Sequence, residues 1–151
     1  MNASETGPEA SRVFRREHPV RFADVDAAGI VYYPRLLDYC HQTFEEFFSA
    51  AGDPYSDWIQ RERIGFPTVH LDVNFLQPVQ YGRPLTMTAH VLRIGNRSVT
   101  FRFEGESGDG SIAFRADVTK ACAGIDTGRS QDLTPELRAL FERHHIVEEA
   151  E

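Results

Sequence analysis

The sequence predicts an α+β fold, a largely antiparallel sheet wrapped around one long helix. Apolar residues between positions 37 and 51 recur at helical spacing, and from position 69 onward the spacing changes to two. The order of the pieces is the third observation. One strand, a long helix, four strands and a short helix leave one broad apolar helix face, which a sheet is suited to cover.

The elements follow in order. Residues 12–23 alternate roughly between apolar and polar, with Val13, Val20 and Phe22 among the apolar ones, and predict a first strand. Pro34 suits the first turn of a helix. Leu37, Cys40, Phe44, Phe47, Phe48 and Ala51 then form its apolar face, and Gly52 is a stop signal. Residues 53–67, with Pro54, Trp58, Gly65 and Pro67, predict a short helical turn and a loop. Four half-buried strands come next. They are marked by Val69, Leu71, Val73 and Phe75, by Leu85, Met87, Ala89 and Val91, by Val99, Phe101 and Phe103, and by Ile112, Phe114, Ala116 and Val118. Turns are expected at residues 80–84, at Gly95-Asn96 and at residues 105–110, the last two as hairpin loops. A short helix closes the chain, with Thr134 as N-cap, Pro135 as first residue and Leu137, Leu140 and Phe141 buried.

At 151 residues this reads as one domain over residues 11–145, with a disordered lead-in over 1–10 and a tail over 146–151. The net charge of −7 argues against nucleic acid or an acidic membrane as partner. No run approaches the roughly 18 apolar residues of a membrane span. The N-terminus lacks the basic and apolar regions of a signal peptide. The only two cysteines, Cys40 and Cys122, suggest no disulfide framework or metal motif and fit reduced thiols in the cytoplasm. The histidines show no ligand spacing, and no metal is expected. No phosphate-cradling glycine loop and no Gly-x-Ser-x-Gly elbow is present.

The chemistry concentrates at Arg21-Phe-Ala-Asp-Val-Asp-Ala-Ala-Gly-Ile-Val-Tyr-Tyr-Pro34. Two acids, Asp24 and Asp26, precede a glycine and a helix start. A carboxylate can take a proton or attack a carbonyl, and helix-start amides can bind the oxygen on which charge develops. On the residues alone, Asp26 is either that carboxylate or a loop aspartate making a turn bond. A calcium loop does not fit, because Ala28 and Arg35 fall where oxygen ligands are needed. Asp24 reads as structural, pairing with Arg21 or orienting the loop. Gly29 lets a substrate approach the backbone.

The string from Asp24 to Pro34 resembles the signature of the 4-hydroxybenzoyl-CoA thioesterase family, and the order of elements resembles the hotdog fold. The likeness is strongest over residues 21–48 and extends weakly over 15–125, including Asn74-Phe-Leu-Gln-Pro-Val79 and Gly82-Arg-Pro84. The resemblance implies a cytoplasmic acyl-CoA thioesterase. Asp26 would be nucleophile or general base, and the Tyr33 backbone N–H would polarise the thioester carbonyl. No cofactor is implied, since CoA is part of the substrate. His41 falls where relatives can carry a carboxylate that receives the ring hydroxyl of the acyl group. From the residues alone, His41 is either a hydrogen-bonded histidine at the core margin or part of an acyl pocket. Arg97 matches a basic position for CoA phosphates, while Gly95 and Asn96 depart from it. The family pattern further implies a homodimer joined edge to edge, with sites between subunits, pairing into a homotetramer.

Overall fold

The computed structural model describes residues 10–148. The elements are β1 (Phe14–Glu17), α1 (Tyr33–Ala50), α2 (Tyr55–Gln60), β2 (Ile64–Gly65), β3 (Thr68–Phe75), β4 (Leu85–Ile94), β5 (Ser98–Ser107), β6 (Ile112–Ala121), β7 (Ala123–Gly124) and α3 (Pro135–Arg143). Five strands make one antiparallel sheet in the order β1-β4-β5-β6-β3, and β2 pairs with β7. The expected plan is the observed one: a single antiparallel sheet curves around α1.

α1 forms where the spacing predicts, but its buried stripe is rotated. Leu36, Tyr39, Cys40, Thr43, Phe44, Phe47 and Phe48 are buried, a strict three-and-four repeat. Leu37 is half-buried and Ala51 exposed. The rotation is possible because the polar tips find partners. The Thr43 hydroxyl donates to Tyr39 O at 2.7 Å, and the Tyr39 phenol donates to Asp24 Oδ2 at 2.8 Å. Phe44 sits at the centre of the core. Its ring meets Phe48, Tyr55, Phe66 and Phe101 edge-on, with centroids 5.0 to 6.1 Å apart. The inward residues of β4, β5 and β6 complete that core. α3 closes it with Leu137, Leu140 and Phe141, capped by Thr134 Oγ1 accepting from Leu137 N.

Three boundaries differ from expectation. The first strand ends at Glu17, because Pro19 has no N–H to continue the ladder. Phe22 lies beyond it in a one-turn 3-10 helix and is 76% exposed. β5 runs on to Ser107, through the residues expected to begin a turn. Gly105 stays within the strand because Phe114 packs over it. A Cβ there would lie 2.3 Å from Phe114 Cε1. The small β2–β7 ladder was not foreseen, being too short to show a period. Ile146 N–H donates to Val91 O, and Glu148 pairs with Arg102, so residues 146–148 lie along the sheet. Residues 1–9 and 149–151 of the expected tails lie outside the described residues.

β3 ends the sheet and pairs only with β6 among the described residues. Nearly all of it is exposed, including the apolar Val69, Leu71 and Phe75.

Candidate active site

The loop before α1 is built as a small clasp. Val25 and Val31 bridge antiparallel, Asp26 N–H donates to Ile30 O at 2.9 Å, and Gly29 N–H donates to Asp26 O at 3.0 Å. Gly29 turns the chain at φ +78°, a conformation that favours glycine. The clasp is pinned to the following sheet loop. Val31 N–H donates to Val79 O at 2.8 Å, and Tyr81 N–H donates to Gly29 O at 3.1 Å. Asp26 is exposed at the tip. Its Oδ1 accepts from Ala28 N–H at 2.8 Å, an Asx turn that orients the carboxylate.

Asp24 holds the base of the clasp. Its backbone O accepts from Tyr32 N–H, and its carboxylate accepts from the Tyr39 phenol nearly two turns into α1. Arg35 Nε lies 3.9 Å from the other carboxylate oxygen, so the basic partner is Arg35 rather than Arg21. Burial, followed by the bond to Asp24, pushes the Tyr39 phenol well above its ordinary pKa, so it stays a donor. The His18 ring packs on Tyr39 with centroids 3.9 Å apart. Burial, aided by the nearby Arg16 guanidinium, lowers the His18 pKa to about 4, so this ring is neutral at pH 7.

α1 opens at Tyr33 with Pro34 next. The first amides of a helix have no intrahelical acceptor, and Tyr33 N–H is the first of them in α1. Asp26, Tyr32, Pro34 and Arg35 line one open cleft of about 450 Å³. Asp26 and Gly29 share the clasp, and Tyr32 and Pro34, on either side of Tyr33, line the cleft with Asp26. The Tyr33 side chain lies on the exposed surface, stacked on Tyr32 and edge-on to Phe75.

A second cavity, of about 220 Å³, opens further along α1. Leu37, Leu71, Phe103 and Val118 wall it, and His41 also lines it. At about 1.5 Å per residue, Leu37 and His41 lie about 6 and 12 Å along the helix from Tyr33. His41 is exposed, with Nε2 3.4 Å from Glu45 Oε1. Lys120 also lines this cavity, and sequence reasoning missed it. The signal was present: Phe114, Ala116, Val118 and Lys120 continue one inward-facing alternation of β6, and a lysine at such a position is rare.

Arg97 is not part of this arrangement in one protomer. It sits in the β4–β5 hairpin, where its Nε donates to Asp132 at 2.8 Å. Ser98 pairs with Ala121, and Lys120 with Thr68, so Arg97 lies toward the Thr68 end of β3. The helix start touches Phe75, at the other end. Seven strand steps separate the two ends by about 23 Å. Among the described residues, no group of three or more His, Cys, Asp or Glu side chains is placed to hold a metal.

The thioesterase-like superfamily model matches residues 20–141, the span that carries the clasp, α1 and every strand of the main sheet except β1. This chain belongs to that superfamily. It is a thioester hydrolase, as the loop signature implied, with the hotdog fold that the order of elements implied. Among curated proteins of this kind, the 1,4-dihydroxy-2-naphthoyl-CoA hydrolase of Nostoc punctiforme is 30% identical over 124 residues, covering 82% of this chain and 83% of that one. A solved thioesterase-superfamily structure from Jannaschia sp. CCS1 superposes with a TM-score of 0.83 at 28% identity, covering 89% of this chain and 94% of the other. The solved 4-hydroxybenzoyl-CoA thioesterase superposes with a TM-score of 0.78 at 22% identity, over 86% of this chain and 99% of the other, a likeness of fold alone.

Proposed function

We propose that this chain hydrolyses an aromatic acyl-CoA thioester to the free acid and CoA. The observation that carries the reading is the cleft that Asp26 shares with Tyr32 and Pro34 at the start of α1, one to two turns of that helix from an apolar cavity. Asp26 either attacks the carbonyl carbon or takes a proton from the water that does. The Tyr33 amide receives the oxyanion. One water is consumed, and CoA leaves as the thiol. No metal or organic cofactor is required for these steps. The naphthoyl-CoA hydrolase relatives support the aromatic class. The buried free thiols of Cys40 and Cys122 suit a reducing compartment, and we place the enzyme in the cytoplasm.

Release of free thiol from a panel of CoA esters tests this. Benzoyl-, hydroxybenzoyl- and hydroxynaphthoyl-CoA should turn over at least tenfold faster, by kcat/KM, than hexanoyl- or palmitoyl-CoA. Faster aliphatic esters or acyl-carrier-protein thioesters would make it a fatty acyl thioesterase. Binding without turnover across the panel would make it an acyl-CoA binding module.

The working form in this reading is a homodimer joined through β3, with pairing of dimers into a tetramer as the next step. β3 is an unprotected edge with Val69 62% and Phe75 53% exposed, the kind of edge that pairs with another strand. Antiparallel pairing of two β3 strands sets the Thr68 end of one protomer against the Phe75 end of the other. Arg97 of one subunit then approaches the cleft of the other, where CoA phosphates need a cation. By sedimentation the protein should run as a dimer or larger at micromolar concentration. The double variant Val69→Lys, Leu71→Lys should dissociate at least tenfold more readily and lose most of its turnover. A fully active monomer would rule the arrangement out.

A further inference from the structure

Lys120 occupies an inward position of β6 and is only 5% exposed. Buried lysines are rare unless paired. Among the described residues, no carboxylate lies within ion-pair distance of this one. Its Nζ donates to Thr68 Oγ1 at 3.2 Å and stands 4.4 Å from the centre of the Phe44 ring. An ammonium has three donors, and Thr68 takes one. The other ionisable groups at the cavity do not supply an anion. Burial pushes the Cys40 thiol up to about 12, so it is neutral, and His41 is already beside Glu45 at the surface. Burial lowers the Lys120 pKa as well, and among the described residues the cavity holds this amine with spare donors and no counter-ion. Such a group is costly to keep, unless a ligand supplies the acceptor.

We infer that Lys120 reads the acyl group: it donates a hydrogen bond to an oxygen on the aromatic ring, remote from the thioester, and so selects hydroxylated aryl-CoA esters over unsubstituted ones. The inference rests on the aryl-CoA reading above. It adds a residue that decides which aryl group is accepted. The placement fits. Leu37, Leu71, Phe103 and Val118 would flank a flat ring, and Lys120 lines the same cavity. In the β3-paired dimer the Thr68 end of one subunit lies against the Phe75 end of the other, so the cavity that holds Lys120 stands toward the partner's helix start, where the thioester carbonyl is held. No bond is made or broken at Lys120, which is a specificity residue.

The test compares wild type with Lys120→Met, which keeps length and removes the donor, and with Lys120→Gln, which keeps a neutral donor. Steady-state kcat/KM is measured for benzoyl-CoA and its ring-hydroxylated analogues. Binding is measured in parallel by calorimetry, using phenacyl-CoA and hydroxyphenacyl-CoA thioethers, which have no scissile ester. Wild type should favour the hydroxylated member of at least one pair by about ten- to hundredfold, the range of a charge-assisted hydrogen bond. Lys120→Met should erase that preference, lowering the hydroxylated compounds at least tenfold more than the unsubstituted ones, and Lys120→Gln should keep part of it. An equal loss on all compounds, or a preference that survives Lys120→Met, would overturn the inference while leaving a hydrolase. Lysine-dependent selectivity in thioether binding without any ester turnover would uphold Lys120 and overturn the hydrolase reading. Failure to bind or cleave any member would overturn both.

Discussion

Asp26→Asn should lower kcat on the preferred aryl-CoA ester by about 10²–10⁴-fold, the usual contribution of a positioned acid–base group or more. The substitution isolates the chemistry. Asparagine Oδ1 can still accept from Ala28 N–H, so the Asx turn that shapes the clasp is retained. The side chain is exposed and holds no other element in place. Thermal melting should therefore move by less than about 2 °C, as expected for a surface change within about 0.5 kcal/mol. An amide neither attacks a thioester nor takes a proton from water at pH 7. Stopped assays of thiol release, with calorimetric melting of the same samples, give both readouts. A folded variant keeping more than a tenth of the rate would move the reaction away from Asp26.

Phe44→Ala should have the largest effect on stability, a loss of about 3–5 kcal/mol. Phe44 is fully buried and makes four edge-on ring contacts that join α1 to α2, to the loop at Phe66 and to β5. Truncation leaves a cavity that rigid aromatic neighbours cannot close. It also removes the ring that lies under the Lys120 ammonium, leaving that charge less compensated. For a domain of this size the melting temperature should fall by roughly 6–20 °C at fixed protein concentration. Urea unfolding followed by tryptophan fluorescence checks the figure. A loss below 1 kcal/mol would mean that the core repacks freely around α1.

The regular elements were legible because their signals are local. The helical spacing at Phe44, Phe47 and Phe48 and the alternation from Val69 to Val118 each lie within one element. Where the reading slipped, a distant partner had intervened. Gly105 reads as a turn glycine, yet the Phe114 ring keeps it in the strand. Tyr39 and Thr43 are absent from the apolar face expected of α1, yet both are buried because their hydroxyls find acceptors. Phe22 reads as a strand residue, yet the chain has already left the sheet.

The sequence by itself determined the clasp. Asp26, Gly29 and Tyr33 lie within eight consecutive residues, as a turn followed by a helix start. It determined also the long helix and the antiparallel sheet, since both follow from the period of the apolar residues. Only the tertiary structure decided what stands beside that helix. Lys120, Thr68 and Phe44 come from β6, β3 and α1, and no spacing along the chain announces their meeting. The same holds for the bond from Tyr39 to Asp24 and for the distance between Arg97 and the cleft. Such contacts depend on strand order and on how α1 is rotated against the sheet, and packing sets both.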